Sequence, residues 1–137
     1  MIVLSLFVSS IPVSFGSITV LQVSPIAVAG TFGSLALFLS ITAFLAARNV
    51  LGDVNPLNGL GVGPWPALVA IVSQAFTVSA AIAIPIALLA DGVAIYFLYG
   101  ERDLRVSAYI TLIHAVISIL LGVVLFGIVT IVMTAPG

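Results

Sequence analysis

The sequence predicts an all-α integral membrane protein, an up-down bundle of four transmembrane helices in a single membrane domain spanning residues 1–137. Three observations carry that prediction. Hydrophobic residues make up 63% of the 137 and charged residues only 5%, where a soluble domain carries about 25% charged side chains. Mean hydropathy is +1.45. The charges are also confined: residues 1–47, 54–90 and 106–137 hold none, apart from the ionisable His114. Too little polar surface remains to cover a water-soluble globule.

The first uncharged stretch is long enough for two crossings of a hydrocarbon core about 30 Å thick, at roughly 20 residues each. Its best turn is Gln22-Val23-Ser24-Pro25, where Ser24 can cap a helix and Pro25 can take its first position. That places one span near residues 2–21 and another near 26–47. The first is rich in serine and β-branched residues and contains Pro12 and Gly16. An unpaired strand is nevertheless far costlier in lipid than a poor helix. A full span, a kinked or partly re-entrant helix and a signal peptide are its readings; the last lacks a basic leader region.

Residues 48–66 read as a loop, with four glycines, three prolines and three asparagines, all turn formers. Trp65 closes it as an interface anchor. Residues 67–98 follow as a third span, about 48 Å long as one helix, tilted or kinked at Pro85. The polar turn 99–105 contains Glu101, Arg102, Asp103 and Arg105. Tyr99 and Tyr109 flank it as further anchors. The fourth span runs from 106 to about 133. With these spans Arg48 falls on one side of the membrane and Arg102 with Arg105 on the other, so the turn faces the cytoplasm or interior by the positive-inside rule.

Helices associate in lipid by close packing of small residues. The second span offers Ala29, Gly33, Ala36, Ser40, Ala43 and Ala47 at spacings of three or four. The fourth offers Ser107, Thr111, Ala115, Ser118 and Gly122, and the third Ala70, Gln74, Thr77 and Ala81. These stripes fit packing within the bundle, or in part against another subunit.

One place can carry chemistry. Folding the third and fourth spans into a hairpin about the 102–103 midpoint brings Asp91 level with His114, each about 12–17 Å from the turn. A lipid-exposed carboxylate at such depth costs about 2.5–3.5 kcal/mol, which favours pairing. The functional reading is a proton-relay or ion-binding pair, extended by Gln74. On the structural reading, Asp91 caps a break at Gly92 and His114 makes one interhelical hydrogen bond.

Other classes are poorly supported. There is no lysine and no basic patch for nucleic acid. With no cysteine and one histidine, thiolate metal sites, disulfides and a cysteine nucleophile are excluded, and no cofactor is expected. Asp53 and Asn55 supply too few oxygens for calcium, and no nucleotide loop is present. The leading expectation is a non-enzymatic structural or accessory subunit of a larger membrane assembly, cellular or viral, or a homo-oligomer, with the lipid bilayer and membrane proteins as partners. A proton- or ion-translocating component using Asp91 and His114 is the alternative.

Overall fold

The computed structural model describes residues 12–15, 18–21, 24–99 and 101–137. From residue 24 onward the regular structure is entirely helical: α1 (Pro25–Leu51), α2 (Leu57–Val62), α3 (Pro64–Ala75), α4 (Ala80–Leu98) and α5 (Leu104–Thr134). Ahead of them, β1 (Pro12–Phe15) pairs antiparallel with β2 (Ile18–Leu21), Pro12 opposite Leu21 and Phe15 opposite Ile18. The expected first span is therefore corrected over its described part, which is a hairpin and not a helix; its β-branched composition suits strand pairing. The remainder of 2–21 lies outside the described residues.

The fold is the all-helical membrane bundle that the composition predicts. Three helices, α1, α4 and α5, are each long and apolar enough to cross a membrane. The fourth leg comes from the region read as a loop. Leu57 to Ala75 is helical apart from Gly63, whose own backbone is in the right-handed helical region, and it rises about 28 Å along its path. Pro64 and Pro66 remove two helix donors beside Gly63, which accounts for the break there. Only 52–56 and Gly63 of the expected 48–66 loop lie outside the helices.

The glycines of this region serve close packing. Gly59 and Gly63 sit four apart on the face that meets α1. A Cβ at Gly59 would lie 2.5 Å from the Ser40 carbonyl oxygen, and one at Gly63 would run into Ser40 Oγ and the Ala36 carbonyl. No side chain fits between the two backbones, the condition under which glycines four apart join helices. Gly52 alone acts as a stop: at φ 85° it ends α1 while its N–H donates to the Arg48 carbonyl, a conformation that favours glycine.

The expected third span is also divided. It breaks at 76–79, not at Pro85, which lies within the continuous α4. Val78 N–H donates to the Ser73 carbonyl at 2.8 Å and Thr77 N–H to the Gln74 carbonyl at 3.1 Å. Thr77 has φ 53°. These bonds are those of a Schellman termination, here with threonine in the left-handed position where glycine would have signalled a stop. Because the helix ends there, Gln74, Thr77 and Ala81 are exposed and form no packing stripe; Pro66, Ala67 and Ser73 are the buried residues of α3.

The legs follow an up-down ring. α1 packs on α2, α3 and α5, and α4 packs on α2, α3 and α5, leaving α1 and α4 across one diagonal. Residues 52–56, the end of α4 and the start of α5 meet at one end of the bundle: Asn58 Nδ2 donates to the Leu98 carbonyl at 3.0 Å and the Tyr99 hydroxyl to the Asn55 carbonyl at 3.3 Å. Tyr99 is thus buried rather than placed as a surface anchor, and burial pushes its phenol above the ordinary tyrosine value. The core lies toward this end, where Ala43, Ala46, Ala47, Val62, Ala94, Ile95 and Ile110 pack with Tyr99. Trp65 is exposed and lines a groove along α4 with Ile86, Leu89, Val93 and Phe97. Beyond Ser118 the large apolar side chains of α5 are exposed, as expected where lipid is the solvent.

Gly63→Ala is expected to destabilise the detergent-solubilised protein by about 1–3 kcal/mol through overpacking against α1. Gly122, which meets nothing within 4 Å, should accept alanine without loss. Thermal unfolding followed by circular dichroism checks both.

Candidate functional site: a buried polar chain across the bundle

Asp91 on α4 and His114 on α5 do face one another. His114 Nδ1 lies 2.7 Å from Asp91 Oδ2, and the side chains are only 3% and 4% exposed. α4 runs unbroken through Gly92, so Asp91 caps no helix break. A Cβ at Gly92 would make an ordinary contact with Thr111 Oγ1 of α5 at 3.4 Å.

The histidine reaches across the diagonal. Its Nε2 is 2.9 Å from Thr42 Oγ1 on α1, and Ser118 Oγ donates to the same oxygen at 3.0 Å. Thr42 Oγ1 also lies 3.1 Å from the Leu39 carbonyl and 3.2 Å from that of Phe38. α1 and α4, which do not pack on one another, are thereby joined through one imidazole on α5.

A threonine hydroxyl has one hydrogen and two lone pairs. The chain is satisfied when Nδ1–H donates to Asp91, Thr42 donates to Nε2 and Ser118 donates to Thr42; in the opposite tautomer Nε2–H donates to Thr42, whose own hydrogen goes to the carbonyls of its helix. Asp91 Oδ1 is buried and has no hydrogen-bond partner among the described residues.

Other residues singled out in the sequence fall into two groups. Ala36, Ser40, Ala43 and Ser107 are buried, and Thr111 and Ser118 are half-buried on the inner side of α5. Gly33 is exposed, and Gly33 and Gly122 have open space beside them. Gln74 is exposed near the opposite end of the bundle and takes no part in the chain. Tyr109, Arg102 and Arg105 are exposed. Thr42 escaped the sequence reading because it lies off the small-residue stripe of its helix. The available signal was its depth: it precedes the end of α1 by nine residues, much as His114 follows the start of α5 by ten. No group of three or more ligating side chains suited to a metal ion occurs among the described residues.

Removing one member of a buried pair strands the other, at a cost of about 3–5 kcal/mol. His114→Ala should therefore destabilise the bundle more than the double variant Asp91→Asn/His114→Ala. Denaturant unfolding in micelles, read as a double-mutant cycle, checks this.

No curated protein and no solved structure matches the chain. Residues 22–136 match DUF7473, a family of unknown function, and the chain, most of which that match covers, belongs to this family.

Proposed function

We propose that the protein is a non-enzymatic, multi-pass structural subunit that works within the bilayer, as part of a membrane assembly or as an oligomer of itself. The observation that carries this reading is the buried polar chain Asp91–His114–Thr42–Ser118. It spends the few polar groups of the interior on joining α1, α4 and α5, while the exterior is left almost wholly apolar. A clamp of this kind supports a rigid wall of hydrocarbon-facing helices against which other membrane segments can pack.

In this reading the four legs cross the bilayer in alternation. Arg48, Arg102 and Arg105 then share one side, because the end of α1 and the start of α5 meet at the same end of the bundle. This differs from the expectation that Arg48 opposes the other two, because the additional leg α2–α3 reverses the direction of the chain between them. All three cations of the sequence then point to a cytoplasmic location for this end. The chain has no cysteine, so single-cysteine variants report sidedness cleanly. In right-side-out cells an impermeant maleimide should label Thr134→Cys and spare Asp53→Cys; the reverse pattern would refute the orientation.

A second reading has one observation in its favour. Asp91 Oδ1 is buried without a partner, and ionisable groups within membranes mark proton and ion pathways. The two readings separate in liposomes containing a pH-sensitive dye. A structural subunit gives proton flux no faster than empty liposomes, and Asp91→Asn changes nothing. A flux that Asp91→Asn abolishes, with the protein still inserted, would establish the second reading.

A further inference from the structure

We propose that the groove between α4 and α5 binds one acyl chain of an anionic phospholipid, whose phosphate is held by Arg102 and Arg105. The groove has a volume of about 610 Å³ and is walled by Leu88 and Tyr96 on one side and Leu104 and Leu112 on the other, over a floor of Gly92 and Ala108. Its floor is closed to hydrogen bonding. Thr111 Oγ1 donates to the Ser107 carbonyl and Ser107 Oγ to the Asp103 carbonyl, each at 2.7 Å. A hydrocarbon chain there leaves both of these hydroxyl donors satisfied.

Length selects the occupant. From Leu104 to Ala115 the groove follows α5 for about 16 Å, close to one leaflet of a 30 Å core. It begins at the polar end of the bundle and stops near mid-depth, as a lipid tail does and a crossing helix of a second copy does not.

Two cations stand at its mouth, beside the carboxylates of Glu101 and Asp103. Arg105 precedes Leu112 by seven residues, so both stand on the same face of α5, and its long stem can lie along the rim while the guanidinium reaches the headgroup layer. Arg102 is tied to the wall itself, its N–H donating to the Tyr96 carbonyl at 3.3 Å. Glu101 and Arg102 adopt φ values of 48° and 62°, a left-handed backbone that costs energy in non-glycine residues. Asp103 turns its carboxylate to the start of α5, accepting from the N–H groups of Arg105 and Val106 at 2.8 and 3.4 Å. Arg105 meanwhile occupies the first turn of a helix, where a cation opposes the macrodipole. Folding gains nothing from that placement; an anion at the groove mouth does.

Native mass spectrometry of the full chain, with added phosphatidylglycerol or phosphatidylcholine, tests the proposal. Wild type should retain phosphatidylglycerol about tenfold better. Arg102→Gln/Arg105→Gln should remove that preference, and Ala108→Phe, at an exposed position, should reduce retention of both lipids. Equal retention of the two lipids by wild type would overturn the proposal, as would a preference that survives in the double arginine variant. So would a wild-type dimer that Ala108→Phe converts to monomer, since the groove would then hold a second copy.

Discussion

An ionisable side chain placed in hydrocarbon must find its partners inside the protein, because no water is there to supply them. Asp91 meets that constraint at one oxygen through His114, and His114 meets it through Thr42, which also accepts from Ser118. The consequence is mechanical. Hydrophobic burial gives little drive for helices to associate when the surrounding tails are as apolar as leucine. A hydrogen-bonded chain crossing the diagonal of the bundle supplies register that apolar contacts alone leave loose. It fixes how far α1, α4 and α5 slide along one another, and that register sets where the loops meet at the polar end.

Close packing supplies the rest. α1 offers a face of alanine and serine, and Gly59 and Gly63 bring the α2–α3 leg down onto it until backbone meets backbone. The core that results is built from alanines with a few larger side chains, Val62, Ile95 and Ile110 among them. Small residues here permit contact rather than create bulk, and the large apolar residues face outward, an inversion of the soluble pattern that a lipid solvent permits.

Much of this was legible in the residues. Composition and the spacing of charges carry the membrane class, and the depth match of Asp91 and His114 about the 102–103 turn places them level. The glycines at 59, 61 and 63 misled because glycine signals both turns and tight helix contacts, and only the neighbouring helix tells the two apart. The end of α3 was hidden for a related reason: threonine, not glycine, occupies its left-handed position. Thr42 was invisible because a threonine among apolar residues looks the same whether it bonds to its own helix or to a neighbour; here it does both.

The sequence contains a single histidine, so one selective isotope label reports on the centre of the structure without ambiguity. Solid-state NMR of His114 in lipid bilayers is the most direct test. The account requires the ring to show correlations to Asp91 through Nδ1 and to Thr42 through Nε2 in the same molecule. A histidine ring in contact with lipid tails or mobile water, and lacking either neighbour, would contradict it.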